Sequence, residues 1–425
     1  MEIVLDLCQG DVMRMHKRPY SLGKNMKLKQ LLCVQGLVLL MTVSLANVAS
    51  ANVTASSKPD IQAEIQTAIT NIARELFIPG VLTLIHTPET KMLAIYGSTE
   101  LGNKHDPRVD TQFRIGSNTK SMISAVTLQL AQEGKLKLDD PVSKYIPNVP
   151  NGDKISLDLL MKNRSGLYNY LESPKLAKEF DTNPSKIWTP QDLLNLSFEQ
   201  PLQSQPDERF DYCNTNFILL GMIAEKLDKR PLEIIFKKRL FEPLGMKHTY
   251  LPGAFDTVMK KPYAHGYAFG KSAHVFTHEP YSAKMISKIK NGKVKPVDYT
   301  VQSPSWAWAA GGVVSTAEDL AIWIESLAQG KLFNHEYYQK WLKSPMPSDA
   351  RNPNIKYGYG FLTIANDAGL FFFHSGELPG FNSYMIHSVE KKQTIVIWSS
   401  LTISVDLKPT AGVLKTPIFN GLNKS

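Results

Sequence analysis

Cysteine is scarce, three residues in a chain of 425, and two of the three, Cys8 and Cys33, stand near the amino end. If that end is removed, Cys213 is left alone, which excludes an internal disulfide framework and any paired-cysteine redox or metal motif. The histidines are scattered and suggest no metal site, and no cofactor is implied. No Gly/Ser-rich or Pro-rich linker and no internal repeat interrupts the chain after its first sixty or so positions, which argues against a string of separable modules. A basic cluster interleaved with aromatics is also missing. The formal charge of +9 is therefore expected to be spread over solvated faces, which excludes nucleic acid as the evident partner and leaves an anionic substrate or an envelope polymer compatible.

Long hydrophobic runs are nearly absent too. The run from Leu31 to Leu45 is shorter than the roughly 20 residues a membrane-spanning helix needs. Lys27 and Lys29 precede it and Ala49-Ser50-Ala51 follows it, the layout of an export signal cleaved to leave Asn52 as the new amino terminus. Glu2, Asp6 and Asp11 suit no signal, so translation is expected from Met26 or another internal Met. Residues 1–51 are thus read as leader and signal, the mature protein as periplasmic or secreted without a stable membrane span, and 52–425 as one catalytic unit.

What is present is a large apolar fraction, 43% against 20% charged, enough for a sizeable core. Ile61, Ile65, Ile69, Ile72 and Leu76 recur at helical spacing, and Val81–His86 and Met92–Tyr96 flank a turn at Pro88-Glu89-Thr90 as a hairpin. Gly358–Ala365, Leu370–His374, Asn382–Ser388 and Thr394–Ser399 read as an antiparallel meander. Between them lie helical patterns such as Met122–Leu130, Phe217–Leu227, and Leu320–Leu327 behind a capping box at Ser315-Thr316-Ala317-Glu318. The fold class expected is α/β (α+β): a sheet half over about 60–112 and 355–420, and a mostly helical half over about 113–354. The groove between them is the natural ligand site, with the loops 168–210 and 262–305 lining it.

Three short motifs fall around that groove. Ser117-Asn118-Thr119-Lys120 stands where an apolar stretch enters the Met122–Leu130 helix. Lys120 then lies one turn beyond Ser117 on the same face, where its amine can serve a weak hydroxyl nucleophile as base. The helix start also offers a backbone N–H and a partial positive charge to an oxyanion. Taken alone, Ser117 serves equally as an N-cap, and Ser-x-x-Lys recurs at Ser21, Ser287 and Ser388, none of which opens a long helix. Tyr212-Cys213-Asn214 is the one Tyr-x-Asn among sixteen tyrosines. Its phenol suits proton transfer beside a lysine and a serine, and Asn214 suits orienting the lysine and bonding a substrate amide. By itself it also reads as a packed loop tyrosine with an N-cap. His374-Ser375-Gly376 is the one His-x-Gly among ten histidines, placed at the end of the strand Leu370–Phe373, where a glycine lets a substrate backbone approach. Cys213 is expected to be a small residue facing the core.

In order and spacing these motifs resemble the penicillin-recognising serine hydrolases grouped with class C β-lactamases and D-Ala-D-Ala carboxypeptidases. The resemblance spans about 60–405 and is supported by Asn163-Arg164-Ser165-Gly166-Leu167, Pro243-Leu244-Gly245-Met246, Ala310-Gly311-Gly312 and Tyr357-Gly358-Tyr359-Gly360. It implies a β-lactamase/transpeptidase-like fold with amino- and carboxy-terminal helices flanking the antiparallel sheet. It also implies roles: Ser117 as nucleophile, Lys120 as its partner, Tyr212 as general acid/base and Asn214 as ligand to lysine and substrate. His374 would take the cationic position of the third motif, with Ser375 and Gly376 along the substrate, and the backbone N–H groups of Ser117 and Glu377 would form the oxyanion hole. The chain departs from true β-lactamases in having His374 where they carry lysine, a residue largely neutral at pH 7 that offers mainly a hydrogen bond. Lys290-Asn291-Gly292 and Lys356-Tyr357-Gly358 do not replace it, the first being in a polar stretch and the second preceding a strand. The activity expected first is a D-Ala-D-Ala carboxypeptidase-like peptidase, then a β-lactamase or carboxylesterase using the same residues. A non-catalytic binder of cell-wall or penicillin ligands is the reading from another class. The partners expected are a small peptide, an ester or a β-lactam, with peptidoglycan among the candidates.

Overall fold

The computed structural model describes residues 60–271, 279–349 and 352–422. The expected signal and cleavage site lie outside the described residues. Among the described residues there are twelve strands: β1 Gly80–His86, β2 Lys91–Gly97, β3 Phe113–Arg114, β4 Tyr267–Ala268, β5 Val297–Asp298, β6 Val314–Ser315, β7 Met346–Pro347, β8 Ile355–Tyr357, β9 Leu362–Asn366, β10 Gly369–Leu378, β11 Phe381–Ser388 and β12 Gln393–Ser399. Eight of them form one antiparallel sheet in the order β2-β1-β12-β11-β10-β9-β8-β7. The helices that matter for the site are α1 Ile61–Glu75, α2 Thr119–Gln132, α3 Asn214–Asp228, α4 Ala317–Ala328 and α5 Thr410–Leu422.

Strand side chains alternate between faces, and the alternation divides the core in two. Val81, Ile85, Ile395 and Ile397 face α1 and α5 and pack with Ile65, Ile69, Leu414 and Ile418. Leu82, Leu84, Val396 and Trp398 face the helical half and pack with Leu320, Trp323 and Ile324 of α4. Strands buried on both sides read as near-continuous apolar runs, which is why β1 and β12 are so legible in the sequence. The α+β architecture, with a sheet built from both chain ends and a helical insert between, is the one the sequence predicts.

Three local readings are corrected. The run Gly358–Ala365 is not one strand: β8 ends at Tyr357 and β9 begins at Leu362, because Gly360 adopts φ +73° in the turn between them, against the backbone of Lys120. The cap of α4 is Thr316 with Asp319, one residue later than expected, because Ser315 is paired with Phe113 across β3 and β6. His374-Ser375-Gly376 lies inside β10, which continues to Leu378. The pairing of β9 with β10 stops at Phe373, so from His374 onward β10 has β11 on one side and an open edge on the other. That edge meets the turn that carries Ser117.

Candidate active site

Short β3 ends at Arg114, and Gly116 then takes φ +55° and turns the chain so that Ser117 sits in a 3₁₀ turn leading directly into α2. Lys120, in the first turn of α2, is three residues on and therefore on the same side. Its Nζ is 2.9 Å from Ser117 Oγ. The same Nζ donates to Asn214 Oδ1 at 2.6 Å and to the Ala310 carbonyl at 2.7 Å. Both of those oxygens are acceptors only, so a neutral amine spends its two protons on them and turns its lone pair to the Ser117 hydroxyl. Burial of the whole lysine holds its pKa well below the ordinary value, which favours that neutral form. The arrangement suits a base poised on a nucleophile.

Tyr212 and Asn214 arrive from the start of α3. Cys213 is extended, so the chain enters the helix with Asn214 in its first turn, facing Lys120. Lys120 Nζ lies 4.9 Å from the centroid of the Tyr212 ring and 5.2 Å from that of Phe217. The Asn214 amide donates to Asn169 Oδ1 at 3.2 Å, and Asn169 also accepts from the Asn214 backbone, so the carbonyl oxygen of Asn214 is turned to the lysine. Asn163 Oδ1 accepts from the Cys213 N–H at 3.1 Å and thereby fixes the residue between the two. Cys213 is buried with its thiol donating to Leu167 O, and burial pushes the thiol up to about 12, so it is an inert core residue.

The third wall is the open edge of β10. A Cβ on Gly376 would overlap the Ile115 carbonyl, and a Cβ on Gly116 would come within 2.6 Å of Glu377 N. The two glycines therefore allow the strand edge and the nucleophile turn to touch, and this contact brings the Glu377 N–H beside the Ser117 turn. Ser375 is half-buried along the same edge. His374 is buried, and its surroundings correct the cationic role that the family resemblance implies. Burial first, and Lys120 second, pull the imidazole from 6.5 down to about 3, against a smaller opposing effect of the Ser375 carbonyl. His374 Nδ1 stands 2.6 Å from Ser375 O and Nε2 stands 3.3 Å from the Tyr357 hydroxyl. Lys356-Tyr357 lies within β8 instead of preceding a strand. It is Tyr357 that reaches the site, while Lys356 is exposed.

Reasoning from the sequence missed four contributors. Asn169, Ala310 and Tyr357 each lie in or beside a quoted motif, but their roles depend on partners about 45 residues or more away along most of these contacts, or on a backbone carbonyl that any residue supplies. Tyr170, whose hydroxyl donates to Trp306 O at 2.6 Å, lines the cleft over Ser117 together with Leu171, Trp306 and Leu378. The segment 168–210 is not a loop, since it carries the helices Pro174–Thr182 and Pro190–Phe198, and it gives the cleft Tyr170 and Leu171, while Trp306 and Ala307 follow immediately after 262–305. Among the described residues no group of three or more His, Cys, Asp or Glu is placed to hold a metal ion, and no helix is long and apolar enough to cross a membrane. One histidine pair passed over in the sequence, His274 and His278 at i, i+4 spacing, lies outside the described residues.

A family model described as Beta-lactamase matches residues 65–413. PbpX of Bacillus subtilis (strain 168), which bears a penicillin-binding protein name, is 27% identical over 358 residues, covering 84% of this chain and 78% of that protein. Protein flp of Staphylococcus aureus (strain NCTC 8325 / PS 47) is 26% identical over 349 residues, 80% of this chain and 64% of flp, so the match spans less than two thirds of that relative. Among solved structures, a D-stereospecific amidohydrolase from Streptomyces sp. superposes with a TM-score of 0.71 at 25% identity, covering 84% of this chain and 98% of that one.

Proposed function

We propose, from the premise that the chain belongs to the Beta-lactamase family, that it is a serine hydrolase working through an acyl-enzyme on a short peptide-like amide or an ester, with D-Ala-D-Ala-type peptides as the model substrate. The observation that carries this reading is the 2.9 Å contact of Ser117 Oγ with a lysine whose two amine protons, in the neutral form, are committed to Asn214 and Ala310, leaving its lone pair for the hydroxyl. In the first half-reaction Ser117 Oγ attacks the carbonyl carbon and its proton passes to Lys120. The carbonyl oxygen gains charge between the N–H groups of Ser117 and Glu377. The scissile C–N or C–O bond then breaks as the leaving group takes a proton, with Tyr212 as the relay. In the second half-reaction water adds to the acyl ester, gives its proton to the same groups, and the C–O bond to Ser117 breaks, releasing the acid and restoring the hydroxyl. The name of the Streptomyces relative, a D-stereospecific amidohydrolase, supports an amide-cleaving reading. The segment before Asn52 supports export, to a periplasm or beyond.

The test is mass spectrometry of the protein with a p-nitrophenyl ester, a fluorescent penicillin and a D-Ala-D-Ala peptide. An acyl adduct is expected on the Ser117 peptide, with turnover falling by about 10³-fold or more in S117A. Turnover retained in S117A would refute the mechanism, and absence of both adduct and turnover would leave a binding protein.

A further inference from the structure

The imidazole of His374 has no proton to offer a ligand. Ser375 O can only accept, so His374 Nδ1 is the protonated nitrogen of that 2.6 Å contact. A neutral ring then carries a lone pair on Nε2, and the Tyr357 hydroxyl 3.3 Å away donates to it. Tyr357 is held for this task. It is 1% exposed, with its ring edge-on to Tyr212 at 6.1 Å, tilted on Phe210 at 5.3 Å and edge-on to the His374 ring itself at 5.9 Å. The other basic groups near the site are committed as well. Lys120 is spent on Ser117, Asn214 and Ala310, and buried Arg114 donates to the carbonyls of Thr257 and Thr300. The one charged residue among those lining the cleft over Ser117 is Glu377.

We propose that Tyr357 is a specificity-determining positioning residue of this site: by donating to His374 Nε2 it holds the imidazole as the Nδ1–H tautomer turned onto Ser375 O, which leaves the ring without a proton for a substrate carboxylate and the Ser375 hydroxyl as the uncharged side-chain donor on that edge. The substrate class follows. Amides and esters with an uncharged leaving group are preferred over peptides that end in a free carboxylate beside the scissile bond, and over penicillins, whose ring carboxylate needs the same anchor. This rests on the acyl-enzyme reading above and narrows it.

Two measurements on the whole protein test it. The first compares a D-Ala-D-Ala peptide with its C-terminal carboxamide: kcat/KM is expected at least about tenfold higher for the carboxamide, mostly through KM. The second is ¹⁵N NMR of histidine-labelled protein at neutral pH, with the His374 signals assigned by their loss in H374Q. The expected pattern is a single Nδ1–H tautomer in the wild type and a mixture of tautomers in Y357F, with the carboxamide preference reduced at least about threefold in the same variant. An Nε2–H tautomer or an imidazolium in the wild type would overturn the proposal. Equal rates on acid and carboxamide would do the same, as would a Y357F protein unaltered in both tautomer and preference. If a p-nitrophenyl ester leaves no adduct on Ser117, it is the hydrolase reading that fails, and the NMR still decides the state of His374.

Discussion

At Lys120 two protons are committed to oxygens that accept only, so its chemistry toward Ser117 depends on whether a third proton is present. Burial lowers its pKa well below that of a free lysine. A base works when deprotonated, so kcat/KM on an ester should fall as pH drops through this lowered value, with the limb well to the acid side of an ordinary lysine's titration. Arginine stays charged at every working pH, so K120R should lose about 10²- to 10⁴-fold at all of them. A limb at ordinary lysine pH, or an active K120R, would remove Lys120 from the base role. His374 carries a second pH dependence, this time in stability. Its folded pKa is about 3 against 6.5 unfolded, so between those values the unfolded state binds a proton that the folded state refuses, and stability falls as pH falls below about 6.5. From pH 7.5 to pH 5 the wild type should lose on the order of 2 kcal/mol more than H374Q in urea titrations. Parallel loss in the two proteins would place the acid sensitivity elsewhere.

At the scale of elements, the site is an appointment between a strand edge and a helix start. β10 loses its partner β9 after Phe373 just where it must receive the Ser117 turn, and Gly376 and Gly116 remove the side chains that would hold the two apart. G376A should cost about 1–3 kcal/mol through overpacking, and should slow acylation by about 10²-fold by moving the Glu377 N–H. Gly412 in α5 is the control, since a Cβ there meets nothing closer than 3.6 Å. If G376A and G412A behave alike in thermal melts and acylation rates, the contact has no role in placing the oxyanion donor. The motif His374-Ser375-Gly376 was plain in the sequence, but its place within a strand was not. An apolar run ends at Phe373, and the continuation through His374 to Leu378 is sustained by pairing with Phe381 to Met385 and not by its own alternation.

Over the whole molecule, α1 and α5 come from opposite ends of the described chain and close one face of the sheet together, Gly421 lying against Ile65. The described residues begin with Asp60, whose side chain caps α1, eight positions beyond the Ala51–Asn52 cleavage site of the export proposal. On the export proposal, intact mass of the protein recovered from outside the cytoplasm should show Asn52 as its first residue, with a melting temperature matching that of a chain produced from residue 52. Recovery of uncut protein held in the membrane fraction would replace export with anchoring.

Periodicity and local punctuation determined much from sequence alone: the apolar runs of β1, β11 and β12, the amphipathic α1, and the helix that Ser117 opens. Each follows from which face a residue must bury, and a chain carries that information residue by residue. The candidate side chains Ser117, Lys120, Tyr212, Asn214 and His374 were likewise readable: Tyr-x-Asn and His-x-Gly each occur once, and of the four Ser-x-x-Lys strings only the one at Ser117 opens a long helix. Tertiary structure alone decided what those groups can do. That Lys120 is stripped of water, that Asn169 turns the Asn214 amide, and that Tyr357 and Ser375 O claim both nitrogens of His374 are all consequences of contacts between distant segments, or of burial. Protonation state and hydrogen-bond direction are properties of an environment, and that environment exists only once the sheet edge and the helical half have closed on one another.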